Sequence, residues 1–278
     1  MSNSLRITVL IENKSSGPGL KAEHGLSMWV ETGGFRFLFD TGQSSAFISN
    51  AAQLGIKVAD ADAVAISHGH YDHTGGLGAL LKAFKPPAFH LHPNARRERY
   101  IRMGDPPHKS IGMPSHSLEE IGRVGIKAQW TTAPTRLTEK IGLTGPVPRL
   151  TDFEDVGGPF FMDAACGIPD DICDDQAAWV ETEDGIVVLL GCAHSGVVNT
   201  LDYVSGILGE RRIKAVIGGM HLLLADERRL RETISALRRY KVGLLAPCHC
   251  TGDHAIAYIR EHFAGEVLQL GGGSRLQI

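Results

Sequence analysis

The chain has 278 residues, of which 43% are hydrophobic, so it is long and apolar enough to bury a sizeable core. Lys+Arg total 28 against Asp+Glu 31, for a formal net charge of −3 at pH 7; this leaves no basic footprint for nucleic acid or for an anionic membrane surface. Five cysteines, an odd number in a mid-sized chain, argue against a disulfide framework, and the expectation is a cytoplasmic protein with reduced thiols.

The N-terminal stretch "MSNSLRITVLIEN" lacks the charged and apolar regions of a signal peptide and reads as a first strand. "LSMWVETGGFRFLFD" reads as a hairpin turning at "TGG", and "SSAFISNAAQLG" as a helix with Ser44 or Ser45 as N-cap and Gly55 near its end. "DAVAIS" is a short buried strand and "GGLGALLKAF" a helix; the loop between them holds His68, His70, Asp72 and His73. Residues 91–178 differ in texture, being rich in proline, glycine and charge, with strand-like pieces around 126–143. They are expected to be an elaboration of a single domain spanning 1–278 that helps to cover the site. Regular alternation resumes with the hairpin "AWVETEDGIVVLLG", the helix "VVNTLDYVSGILG" and the strand "IKAVIGG". The helix "DERRLRETISALRRY" follows, with Asp226 as N-cap and Leu230, Ile234 and Leu237 as its apolar stripe. The strand "VGLLAP", the helix "GDHAIAYIREHFAG" and the strand "EVLQL" complete the pattern. The longest apolar runs are far shorter than a bilayer span. "GGGSRL" is glycine-rich but opens no helix, so it is not a phosphate cradle.

Three histidines and an aspartate within residues 68–73 are too dense for ordinary folding needs, because each buried imidazole wants a partner. His194, His221 and His249 repeat the context, each directly following an apolar strand. In layered folds of strands and helices, the loops at the carboxyl ends of the strands form the binding crevice. Four such strand ends carrying histidine point to one metal site. His68 and His70, two apart in an extended loop, can turn to one ion and leave a coordination position open; Asp72 and His73, further along, can reach a second. Zinc suits such open nitrogen and carboxylate sites, and manganese or iron would also fit.

"HGHYDH" resembles the His-x-His-x-Asp-His signature of the metallo-β-lactamase superfamily, and "FLFDTG" its preceding strand. "AEHGLSMWVE", "GCAHSGVVNT", "GGMHLL" and "PCHCTG" extend the resemblance to the subgroup named for a dihydropterin–ribofuranosylaminobenzene phosphate synthase of methanopterin biosynthesis. The resemblance implies an α/β fold, a four-layer αββα sandwich with a dinuclear centre. By motif, His68, His70 and His194 would bind the first of two divalent transition-metal ions, and Asp72, His73 and His249 the second. Asp40 would orient the ligand loop through hydrogen bonds. Many relatives have an aspartate after a strand–Gly step that bridges the ions, whereas this chain has "LLGCAH". Either Cys192 is a ligand, or His194 replaces the missing group, or the second site is weakened; a packing role for Cys192 beneath the site is preferred. His221 either touches the metal or serves as a proton donor or substrate contact, the latter pair being preferred. Glu23 and His24 either line the pocket or serve as caps or surface groups. Cys248 and Cys250 flank His249, and alternation along an extended chain would turn both away from the metal.

The resemblance implies a metal-dependent, hydrolase-like enzyme in which metal-bound hydroxide attacks a phosphoester or pyrophosphate-type small molecule, with Asp72 aligning or deprotonating the nucleophile. The alternatives are a pterin-type transferase or synthase displacing pyrophosphate, a lactone or thioester hydrolase, and a metal-containing binding protein without turnover. The sequence does not fix the oligomeric state.

Overall fold

The computed structural model describes residues 4–123, 128–209 and 211–278. Its packing divides the chain into two units, each with its own sheet and its own apolar core. Unit 1 comprises Met1–Trp130, Phe161–Pro169 and Leu270–Ile278; unit 2 comprises Thr131–Phe160 and Asp170–Gln269. Residues 91–178 are therefore shared between the two.

Unit 1 opens with β1 (Arg6–Ile11), β2 (Ser27–Thr32) and β3 (Phe35–Phe39), the last two a hairpin turning at Gly33 and Gly34. Helix α1 (Ala46–Gln53) follows; its N-cap is Ser45, but the capping hydrogen bond comes from Ser44, whose Oγ accepts from the Ala46 amide. Strand β4 (Ala63–Ala65) pairs parallel with β3 and leads into α2 (Tyr71–Thr74) and α3 (Leu77–Ala83). Next come β5 (Ala88–Leu91), the short antiparallel pair β6 (Tyr100–Ile101) and β7 (Lys109–Ser110), α4 (Ser115–Arg123), and β8 (Gln129–Trp130), which pairs parallel with β5. Phe47 and Ala51 of α1 and Leu77, Leu80 and Leu81 of α3 join Leu10, Leu38, Val64 and Phe89 of the sheet in one buried cluster. That burial, at about 25 cal/mol per Å² of apolar surface, seats the connection between β4 and α3 on a stiff base.

Unit 2 holds β9 (Thr135–Arg136), β10 (Ile141–Leu143) and the hairpin β12 (Ala178–Thr182)–β13 (Gly185–Leu190); β11 (Phe160–Phe161) lies at the unit boundary in sequence. Then α5 (Val197–Leu208), β14 (Ile213–Gly219), α6 (Glu227–Arg239), β15 (Leu244–Cys248), α7 (Asp253–His262) and β16 (Glu266–Val267) alternate. The crossovers through helices make β13, β14, β15 and β16 parallel. All six residues of β13 are buried, the unbroken apolar run of a parallel strand covered on both faces. Leu201 and Val204 of α5, Leu230, Ile234 and Leu237 of α6 and Ile259 of α7 cover Val188, Leu190 and Val216.

Three local readings need correction. Asp72 and His73 do not lie on an extended loop but on the single helical turn α2, and the helix expected from Gly75 starts only at Leu77. The break comes from close approach: the Gly75 amide donates to both Tyr71 O and Gly42 O, and a Cβ on Gly75 would strike the Gln43 carbonyl. The final strand from "EVLQL" is only the two residues of β16, and the glycine-rich tail beyond it forms β17 (Arg275–Gln277), antiparallel to β1 with Leu276 opposite Ile7. Of the strand-like pieces expected around 126–143, residues 126 and 127 lie outside the described residues. Among the described residues no helix is long and apolar enough to cross a membrane.

The Asp226 side chain accepts the Arg229 amide at 2.8 Å and closes the exposed start of α6. Asp226→Ala is expected to cost about 1 kcal/mol in urea unfolding, the usual loss for a removed cap.

Candidate metal centre

In unit 1 the donors are organised by one carboxylate. Asp40 stands just past β3 with φ +62° and is fully buried. Its Oδ1 accepts the Ser67 amide at 2.7 Å, and its Oδ2 accepts both Ser67 Oγ at 2.7 Å and His73 Nδ1 at 2.7 Å. These bonds determine tautomers. Because Asp40 takes the Nδ1 proton of His73, the Nε2 of a neutral His73 carries the lone pair. Because the Ser67 hydroxyl hydrogen is spent on Asp40, His68 Nδ1 is the donor in its 2.9 Å contact with Ser67 Oγ, and His68 Nε2 also carries a lone pair.

Both lone pairs face other donors. His68 Nε2 is 3.0 Å from His70 Nδ1, and His73 Nε2 is 3.7 Å from Asp72 Oδ2. Two nitrogens bound at 2.0–2.1 Å to one tetrahedral ion stand about 3.3 Å apart, so the spacing suits a shared metal. A lone pair opposite a carboxylate oxygen likewise calls for a proton or a cation between them. The donor set of unit 1 thus fits divalent transition-metal ions.

The turn is held from behind. His73 O accepts from both the amide and the hydroxyl of Thr41 at 2.9 Å, and Asp72 O accepts the Leu26 amide at 3.2 Å. His24 Nε2 lies 3.2 Å from Asp72 Oδ2 with its side chain 54% exposed. Glu23 is occupied elsewhere: its carboxylate accepts the Gln43 and Ser44 amides at 3.0 Å and the Ser44 hydroxyl, so it buttresses the loop before α1. His90 is buried on β5, and burial pushes its pKa below the ordinary value. His92 caps a 3-10 turn by accepting the Asn94 amide, and His116 Nε2 contacts Gly75 O.

In unit 2 the carboxyl ends of β13, β14 and β15 lie side by side, with Leu190 opposite Gly218 and Gly219 opposite Cys248. His194, His221 and His249 therefore share one edge of this sheet. The chain leaves these strands through left-handed residues, Ala193 at φ +53°, His221 at +45° and His249 at +55°. Each such non-glycine residue costs roughly 1–2 kcal/mol, a strain that gathers at functional sites. His194 Nδ1 donates to Val156 O at 2.9 Å, so its Nε2 carries the lone pair. The His194 and His221 rings lie 4.2 Å apart, with the Phe160 ring edge-on to both.

Cys192 and Cys250 depart from the sequence expectation. Cys192 is buried, and its Sγ lies within 4.8 Å of ligand atoms of His194, His249, His221 and Cys250. Alternation would have turned Cys250 away, but β15 ends at Cys248 and the left-handed turn at His249 swings Cys250 towards Cys192 and His221. Burial alone would raise the Cys250 thiol pKa, but the hydrogen bond with Cys192 and the proximity of His221 bring it well below the ordinary value. Burial works against a charged His221, yet Cys250 beside it holds its pKa above the ordinary value. Among the described residues, which include all five cysteines, no disulfide is formed.

Residues 20–162 match the metallo-beta-lactamase superfamily family model. The chain is 31% identical over 264 residues to the 7,8-dihydropterin-6-methyl-4-(beta-D-ribofuranosyl)-aminobenzene-5'-phosphate synthase of Methanocaldococcus jannaschii, covering 91% of this chain and 89% of that protein. The crystal structure of a metal-dependent hydrolase of the beta-lactamase superfamily superposes with a TM-score of 0.85 at 30% identity, covering 99% of both chains. Zn(2+)-bound PqqB from Methylobacterium extorquens shares the fold with a TM-score of 0.54 at 12% identity, covering 98% of this chain and 100% of that one. The fold expected from the motifs is thereby borne out.

Asp40→Asn is expected to destabilise the metal-free protein by about 2–4 kcal/mol, since an amide cannot accept from Ser67 and His73 together without leaving a buried group unpaired. It should also weaken metal affinity by about 10–100-fold. Urea unfolding and chelator competition measure the two effects; unchanged affinity would show that Asp40 serves folding alone.

Glu154 offers a second test. It accepts the Val198 and Asn199 amides at 2.8 Å at the start of α5, and burial pushes its carboxyl above the ordinary range against the pull of those amides and of Arg229. The folded chain thus holds this proton more tightly than the unfolded chain. The contribution is full below the unfolded value of about 4.3 and is lost as pH rises through the raised folded value. Glu154→Gln should flatten that decline in urea midpoints measured across the window; an unaltered slope would contradict the assignment.

Proposed function

We propose that this chain, which belongs to the metallo-β-lactamase superfamily, is a metal-dependent enzyme that hydrolyses a phosphoester or pyrophosphate-type bond in a small molecule. The observation that carries this reading is the pair of facing donors in unit 1, His68 Nε2 with His70 Nδ1 and His73 Nε2 with Asp72 Oδ2, whose tautomers Asp40 and Ser67 enforce. In the proposed centre His68 and His70 hold one divalent ion, and Asp72 and His73 the other, with zinc expected and manganese or iron also suited to the donors. Ions bound there would supply Lewis acidity and make water nucleophilic at neutral pH.

The side chains do the remaining work. Asp72 aligns the attacking group and accepts its proton. His24, 3.2 Å from Asp72 and half exposed, passes that proton to solvent. Asp40 and Ser67 keep the imidazoles in the ligating tautomer, so no reorganisation is needed when substrate arrives.

A second reading is group transfer: a carbon or nitrogen nucleophile, in place of water, displaces pyrophosphate from a pterin-type substrate. The synthase name of the 31% identical relative supports it. Both readings require the same ligands and differ in what occupies the nucleophile position.

The test is a metal-replete preparation screened against phosphodiesters, pyrophosphates, lactones and thioesters, and against a pterin pyrophosphate with and without an aromatic acceptor. Hydrolysis of phosphorus–oxygen bonds without acceptor supports the first reading, and pyrophosphate release that depends on acceptor supports the second. Asp72→Asn is expected to lower the rate by about 10²–10⁴-fold. Metal binding with no turnover on any class would leave a metal-containing binding protein and overturn the enzyme reading.

A further inference from the structure

Unit 2 contains a donor cluster that the proposed dinuclear centre does not use. The ligand atoms of Cys192, His221 and Cys250 all lie within 4.8 Å of one another. Two thiols and an imidazole at that spacing form a soft donor set, the kind that selects thiophilic ions over magnesium or calcium. We propose that Cys192, His221 and Cys250 bind a thiophilic divalent ion such as zinc, with one coordination position left for water or substrate.

Three further features favour a ligand site over packing. The first is access. Gly219 at the end of β14 is the residue beneath the cluster, and a Cβ there would stand 2.7 Å from Cys250 Sγ and 3.3 Å from the Cys192 Cα. A side chain there would strike the Gly191 carbonyl first, at 2.4 Å, and then crowd Cys250. The second is His221 itself: its Nδ1 is buried with no hydrogen-bond partner among the described residues, although the ring is held in a strained left-handed backbone at φ +45°. A structural histidine at that cost would be expected to pair both nitrogens. The third is the neighbourhood. Cys250 Sγ points at Cys192 O at 3.7 Å and contacts His221, so the two thiols and the imidazole already converge without a metal.

The groups facing the cluster are mixed in charge. Asp175, buried and bonded through Oδ2 to the Ser195 amide, acts on His221 from one side, and Arg229 of α6 from another. Binding an ion would release to solvent the protons that the thiols and the imidazole hold, and no oxidant or reductant is involved. This assignment gives His221 the metal-contact role that the sequence left open, in place of the preferred proton donor or substrate contact. It depends on unit 2 residues alone.

The test uses the full chain, reduced and metal-free, reconstituted with zinc and read by X-ray absorption at the zinc edge. The wild type should show sulfur scatterers at about 2.3 Å beside nitrogen and oxygen at about 2.0 Å. A His68→Ala/His70→Ala variant should bind less zinc yet keep the sulfur shell, so the sulfur signal per zinc should rise. Cadmium titration of wild type, Cys192→Ser and Cys250→Ser supplies the second readout: the thiolate charge-transfer absorption should fall by about half in each variant. A wild-type zinc shell of nitrogen and oxygen only would overturn the proposal, whether or not the variants fold. A cadmium–thiolate signal unchanged in both serine variants would also overturn it, by placing the sulfur ligation elsewhere. Failure of the dinuclear reading looks different: zinc content would be unaffected by His68→Ala/His70→Ala.

Discussion

The arrangement of unit 1 depends on the buried carboxylate of Asp40. A carboxylate taken out of water must be compensated, and here the Ser67 amide, the Ser67 hydroxyl and His73 Nδ1 do so together. The compensation has a chemical product. Each proton that Asp40 claims leaves a lone pair on the far side of an imidazole, directly at His73 and through Ser67 at His68. Electrostatic satisfaction of the interior and preparation of a ligand surface are one set of bonds. The loop carrying Asp40 is fixed in turn by Thr41, which donates twice to the His73 carbonyl, and by Glu23, which collects the amides of Gln43 and Ser44.

Unit 2 meets the same demand with backbone geometry. Strands β13, β14 and β15 end at one edge, and left-handed turns at Ala193, His221 and His249 redirect the chain within three residues of each strand end. The strain is sustained by the packing behind it, where α5, α6 and α7 bury their leucines and isoleucines against β13 and β14. The same turns bring a second cysteine to the edge. An edge that would otherwise present imidazole nitrogens thereby gains sulfur, which bears on metal choice more than on fold.

Much of this was legible in the residue order. Hydrophobic alternation placed β1, the β2–β3 hairpin, β13, β14, α5 and α6 within a residue or two, because in these elements the local period and the buried face agree. The four-residue turn α2 was not legible, since Gly75 and Gly76 look like a helix start until their backbones meet the loop at Gly42 and Gln43. Nor was β17, whose pairing with β1 spans nearly the whole chain and leaves no local signal.

For the site, the sequence by itself determined which donor types are present and at which strand ends they stand, because histidine after an apolar strand is visible in one dimension. It also determined the family, since the motifs extend over most of the chain. Only the tertiary structure decided how those donors are oriented. The tautomers of His68, His73 and His194 are set by Ser67, Asp40 and Val156 O, and the last of these is distant in sequence from its histidine. Glu23 proved to be a loop anchor because its carboxylate meets amides twenty residues away. Cys250 turned inward because alternation holds only while a strand stays extended, and β15 ends two residues too soon. Side-chain direction beyond a strand end follows from a single φ angle, and that angle is selected by packing rather than by the local sequence.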